Sequence, residues 1–181
     1  MPRKVPDVAS LYEAATNHMA RYAATEAGLA RVLARQIDRW GQKQAAEHEE
    51  DGQDLPSLIL RIKAEIPAVL ARLKDLGILN DAAFATARAK RLTRAGKSRR
   101  ATLAHLAAKG VSSPDLPDDP QRELAAACAY LRRRHGGPFG DAPADKILAA
   151  MARGGFSQSI ARRALALTFE EAVALIERLR G

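Results

Sequence analysis

The chain has 181 residues, of which 47% are hydrophobic and only 4% aromatic, with a formal net charge of +8. The hydrophobic share excludes a disordered chain, and an alanine-rich, aromatic-poor composition favours close-packed helices over strands, so the fold class is expected to be all-α. The charge excess is confined to one part, because residues 1 to 79 hold 11 basic and 11 acidic side chains whereas residues 80 to 181 hold 18 and 10. Such asymmetry points to a polyanion or an acidic protein surface as partner.

In chain order, residues 1 to 9 contain two prolines and no periodic pattern, and read as a flexible N-terminal arm. They lack the apolar run of a secretory signal. No apolar stretch anywhere approaches the ~20 residues that a bilayer requires, so a cytoplasmic protein without a membrane partner is expected. Ser10 reads as the cap of a first helix with Leu11, Ala15, Met19 and Tyr22 on one side. Thr25 reads as the cap of a second, from Glu26 to about Trp40, with Leu29, Val32, Leu33 and Ile37 as its seam and Gly41 as its end. Five acids then crowd between Glu47 and Asp54 without an apolar face, the pattern of a solvated insertion. Helical periodicity returns from Leu55 to Leu76, where Pro67 predicts a split near Ile66 and Val69, Leu70, Leu73 and Leu76 continue the seam.

The next stretch, Asn80 to Val111, carries eight basic residues and no acid after Asp81. Its spacing predicts helices over Asp81 to Ala95, with a seam of Phe84, Ala87, Leu92 and Ala95, and over Arg99 to Ala108, with Leu103, Leu106 and Ala107. Ser98 is placed to cap the second of these. Gly110 suits the left-handed position that closes it, with Val111 folding back on Leu106. Ser112 to Pro120 reads as a proline-rich loop. A helix from Gln121 to His135 follows, broken by Gly136, Gly137 and Pro138. Ala144 to Ala152 and Ser159 to Leu167 form a further pair, and Thr168 with Glu171 makes a capping box for a final helix, Phe169 to Leu179.

A glycine, an apolar residue and a polar start signal recur at Gly77, Gly110 and Gly155, and more weakly at Gly41, with spacings of 36, 33 and 45 residues. This is the periodicity of tandem helical units. The expected architecture is an elongated array of three-helix, helix-turn-helix-like repeats. Its boundaries are an arm over 1–9, a first repeat over 10–79 with the acidic insertion at 45–54, a basic second repeat over 80–120, and a third repeat plus C-terminal helix over 121–181.

Catalytic and metal chemistry are not supported by spacing. His18, His48, His105 and His135 are dispersed, and Cys128 is the only cysteine, which argues against a zinc site and fits a small buried hydrophobe in a reducing compartment. Cys128 and His135 lie two helical turns apart, too far for a thiol pair. No Gly-rich phosphate loop or nucleophile elbow is present. The reading is a non-enzyme without cofactor or metal. The basic stretch has no aromatic residue after Phe84 for base stacking, and no helix carries an evident base-reading set. Phosphate or acidic-protein contact is therefore favoured over sequence readout.

Leu79-Asn80-Asp81, Phe84-Ala85, the Gly96 to Arg100 turn and Leu106 to Val111, together with AYLRRRHGG and KILAAMARGGFSQSIARRAL, carry a resemblance to the RecX family, bacterial regulators of the RecA recombinase. The resemblance implies a modular array that lies in the groove of the RecA filament on single-stranded DNA and restrains ATP hydrolysis and strand exchange, and hence DNA repair and the SOS response. It implies RecA as partner, single-stranded DNA phosphates as a further contact, and a monomer. The contacts would be Arg88, Lys90, Arg91, Arg94, Lys97, Arg99, Arg100 and Lys109 in the middle unit and Arg132, Arg133, Arg134, Arg162 and Arg163 in the last. The alternatives are a nonspecific nucleic-acid-binding protein that needs no recombinase, and an adaptor for an unrelated acidic protein.

Overall fold

The computed structural model describes residues 5–47 and 54–179. Among these there is no strand, and the elements are α1 (Val8–Met19), α2 (Glu26–Glu47), α3 (Leu55–Ala64), α4 (Ile66–Asp75), α5 (Asp81–Arg94), α6 (Arg99–Ala108), α7 (Pro120–Arg134), a short 3-10 turn at Gly137–Phe139, α8 (Ala144–Arg153), α9 (Gln158–Leu165) and α10 (Phe169–Arg178). The all-α expectation is met. The chain divides into two compact units, Met1–Phe84 and Ala85–Gly181. Most of the acidic insertion lies outside the described residues.

In the first unit, Leu11, Leu29, Leu33, Ile37, Val69 and Leu73 form the centre of one apolar core. The second helix differs from expectation, because α2 runs through Gly41 to Glu47. The reason is packing. A Cβ on Gly41 would stand 2.4 Å from Ile59 Cδ1, so the missing side chain admits α3 against α2 instead of stopping the helix. The split at Pro67 is present, with α3 ending at Ala64 and α4 beginning at Ile66. α1 is capped by Asp7, not Ser10: the Asp7 carboxylate accepts from Ser10 N at 2.8 Å while Ser10 Oγ accepts from Asp7 N at 2.9 Å. Both residues thus serve the same capping box. Tyr22 is 62% exposed and Leu76 58% exposed, so neither continues its predicted seam.

The second unit is built around α7. Eight consecutive residues, Leu124 to Leu131, are buried, so this helix is covered on every side instead of along one stripe. Four of the eight are alanines and one is Cys128, and small side chains are what allow neighbours to approach from several directions. Met151, Ala161, Ala164, Ala172 and Ile176 of α8, α9 and α10 complete the core. Gly96 shows how close the approach is. It sits at φ +70°, and a Cβ there would be 2.6 Å from the Tyr130 backbone nitrogen of α7.

The recurring glycines have a common geometry. Gly77, Gly96, Gly110 and Gly155 all have positive φ. After each, the next backbone N–H closes back five residues: Ile78 to Leu73 O, Lys97 to Leu92 O, Val111 to Leu106 O and Phe156 to Met151 O, at 3.0 to 3.1 Å. This bond and the left-handed glycine together close a helix end. The sequence pattern placed Gly77, Gly110, Gly155 and, more weakly, Gly41 in this set; Gly96 belongs to it as well, whereas Gly41 does not.

Candidate functional site

The basic stretch folds as α5, the turn Ala95 to Ser98, and α6. Asn80 caps α5, accepting from Ala83 N at 2.9 Å, and Ser98 caps α6, accepting from Ala101 N at 3.1 Å. The buried face of α5 is Ala85, Ala89 and Thr93, one position away from the expected seam, and Ala87 is exposed. Small residues at i, i+4 and i+8 make this face. On α6 the buried pair is Thr102 and Leu106, while Ala107 is exposed. Leu106 was expected at the seam, but Thr102 was not.

Few apolar side chains are therefore available to seat these two helices, and polar contacts to backbone carbonyls do much of that work. Ser98 Oγ donates to Gly154 O at 2.6 Å, tying the start of α6 to the turn between α8 and α9. The Arg99 guanidinium donates to Leu116 O from Nε at 3.1 Å and from Nη2 at 2.9 Å. Its backbone N–H donates to the Glu123 carboxylate at 2.8 Å. Arg100 reaches Ala152 O at 3.5 Å, Arg94 reaches Leu179 O at 2.6 Å, and Arg133 of α7 donates to Ala95 O. Arg88 Nε donates to His105 Nε2 at 3.0 Å, joining α5 to α6.

These bonds divide the expected contact residues into two groups. Arg88, Arg94, Arg99, Arg100 and Arg133 hold the unit together, and the acceptors of Arg88, Arg99, Arg100 and Arg133 are neutral, which leaves their charge in place. Lys90, Arg91, Lys97, Arg132, Arg162 and Arg163 are exposed, and their cationic heads have no ion-pair or hydrogen-bond partner among the described residues. Arg134 is exposed and lies over the Tyr130 ring at 5.4 Å. Lys109 is exposed at the C-cap of α6. The ion pairs Lys63 to Asp38 and Lys74 to Glu26 are in the first unit.

The electrostatics of the second unit follow from this density of cations. Burial, and then the neighbouring Arg88, Lys109 and Lys97 charges, hold the His105 imidazole below its ordinary value, so it stays neutral and accepts from Arg88. Burial pushes the Glu123 carboxyl up despite its bond from Arg99 N. Burial also pushes the Cys128 thiol up to about 11, the condition of an inert buried sulfur. No group of three or more His, Cys, Asp or Glu residues suited to a metal stands together among the described residues. None of their helices is long and apolar enough to cross a membrane.

Sequence reasoning missed two cations. Arg122, in the first turn of α7, and Arg178, at the end of α10, share a cleft of about 330 Å³ with Lys90 and Arg94 of α5. Positions 90, 122 and 178 are joined only by tertiary packing, and no local pattern links them.

No protein-family model and no solved structure matches the chain. Among curated proteins, the regulatory protein RecX of Myxococcus xanthus is 34% identical over 176 residues, spanning 91% of this chain and 88% of that protein. The regulatory protein RecX of Agrobacterium fabrum is 35% identical over 101 residues, spanning 52% of this chain and 55% of that relative. With an alignment of that length and identity running through both units, the chain belongs to the RecX family.

Proposed function

We propose that the protein regulates the RecA recombinase, mainly negatively, by binding the RecA filament on single-stranded DNA and slowing ATP hydrolysis and strand exchange. The observation that carries this reading is the excess of positive charge in the second unit, in a chain related over 91% of its length to a protein named for regulation. Residues 85 to 181 hold 18 basic and 9 acidic side chains. Guanidiniums that bond to carbonyls stay cationic, so the surface keeps a positive potential toward a polyanionic assembly. A chain of several helical repeats can engage successive subunits of a filament, and weak contacts then combine through effective concentration. The three-repeat organisation, with boundaries near residues 79 and 120, is part of this proposal.

The exposed, unpartnered cations are the proposed contacts, with Arg134 and Lys109 beside them, while Arg88, Arg94, Arg99, Arg100 and Arg133 act mainly by holding the surface in shape. Reversing Arg91, Lys97, Arg132 and Arg162 to Glu should raise the concentration needed to inhibit RecA ATP hydrolysis by at least about tenfold, with unchanged helicity by circular dichroism. The same reversals at Arg31, Arg35, Arg39 and Arg61 of the charge-balanced first unit should change it less than about threefold. Equal effects of the two sets would remove the second unit as the principal contact. The absence of an aromatic residue after Phe84 in α5 and α6 keeps the nonspecific nucleic-acid binder in second place.

A further inference from the structure

We propose that the cleft between α5, the start of α7 and the end of α10 is a binding site for a phosphorylated ligand of about mononucleotide size. Its volume of about 330 Å³ lies within the roughly 300–1,000 Å³ of small-molecule sites. Four cations, Lys90, Arg94, Arg122 and Arg178, line it, and Ala125 and Leu175 supply apolar wall. The heads of Lys90, Arg122 and Arg178 have no hydrogen-bond or ion-pair partner among the described residues, while Arg94 is oriented by its 2.6 Å bond to Leu179 O.

One carboxylate, that of Asp119, also lies in the wall. It is committed to capping α7, accepting from Gln121 N at 2.9 Å and Arg122 N at 3.1 Å. It makes no ion pair with the four cations among the described residues. The like charges of Lys90, Arg122 and Arg178, which line one concavity, repel, and a multivalent anion relieves that repulsion.

The chemistry favours phosphate over carboxylate. A carboxylate offers two oxygens and is satisfied by a single guanidinium, whereas a phosphate ester presents oxygens in several directions and suits several donors arriving from different helices. The apolar wall can take a sugar or base edge. No aromatic ring lines the cleft, so recognition rests on phosphate and discriminates little between bases. Two sources carry this chemistry: a free nucleoside polyphosphate, or a phosphate-bearing unit of a DNA strand. The inference does not depend on the RecA reading, because it concerns a cleft within one unit and is tested without recombinase.

The test is calorimetric titration of the full chain with ATP, with adenosine as the phosphate-free comparison and a 5′-phosphorylated trinucleotide as competitor. ATP should bind saturably at one per chain, and adenosine should not bind. Combining Lys90→Gln, Arg122→Gln and Arg178→Gln should weaken ATP at least about tenfold, whereas combining Lys97→Gln, Arg162→Gln and Arg163→Gln, the same loss of charge elsewhere, should weaken it less than about twofold. Displacement of ATP by the trinucleotide assigns the site to DNA phosphate, and failure to displace it assigns the site to free nucleotide. Lack of saturable ATP and trinucleotide binding, equal binding of adenosine, or equal loss in the two triple variants overturns the proposal. If the first triple variant loses helicity, Arg178→Gln alone carries the test, with a weakening of at least about threefold expected and an unchanged affinity overturning it.

Discussion

Gly96 and Gly77 share a left-handed backbone but differ in what surrounds them, and that difference should be measurable. At Gly77 a Cβ would meet nothing within 4 Å, whereas at Gly96 it would meet the backbone of Tyr130 and Ala129. Gly77→Ala should therefore cost only the conformational penalty, about 1 kcal/mol. Gly96→Ala adds a clash with a buried helix that cannot retreat, and should cost about 2–4 kcal/mol in total by denaturant unfolding. Glu123 provides a second test at this scale. Its carboxyl is raised from an ordinary value of 4.5, mainly by burial, so the folded state holds its proton more tightly than the unfolded chain. The sign follows: this group favours the folded state at low pH, and that advantage is lost as pH rises through the carboxylate range. Glu123→Gln keeps an acceptor for Arg99 N and removes the titration. Thermal midpoints measured from pH 4 to 7 should show the substitution becoming relatively more stabilising toward neutral pH. A constant difference across that range would mean that Glu123 is not desolvated as described.

Among the elements, the two helix caps Ser98 and Ser157 separate a local role from a tertiary one. Ser157 caps α9, accepting from Ile160 N at 3.2 Å, and its removal should cost ~1 kcal/mol. Ser98 caps α6 and also donates to Gly154 O, and it is fully buried. Ser98→Ala loses the cap and strands a carbonyl, so a cost of about 2–3 kcal/mol is expected. Equal costs would show that the Gly154 bond contributes little. Helix ends were the most legible feature of the sequence, because capping and left-handed glycine depend on neighbours three to five residues away: Thr25, Ser98, Gly110 and Thr168 stand where local chemistry placed them. Seams were less legible. In α5 the core face is Ala85, Ala89 and Thr93, and in an alanine-rich helix several faces look equally apolar until the neighbouring helix is known. Gly41 misled for the same reason, since its role is set by Ile59 across a helix contact.

For the molecule as a whole, composition was sufficient for the all-α class and for locating the charge in the second half. It could not reveal which cations are structural. The carbonyls of Ala95, Leu116, Ala152 and Leu179 carry no sequence signal as acceptors, so Arg94, Arg99, Arg100 and Arg133 looked the same as Arg91 or Arg132. The division matters for experiment, because reversing the structural arginines would damage the unit that presents the others. The central claim is that the recombinase, and not DNA alone, is the target. Its most direct test is fluorescence anisotropy across a salt series, comparing single-stranded DNA with the nucleotide-loaded RecA filament on the same DNA. Binding to bare DNA should fall steeply with salt, as phosphate contact and counterion release require, while the filament complex, held at several points, should persist where the DNA complex has dissociated. Equal affinity with and without RecA at every salt concentration would contradict the account.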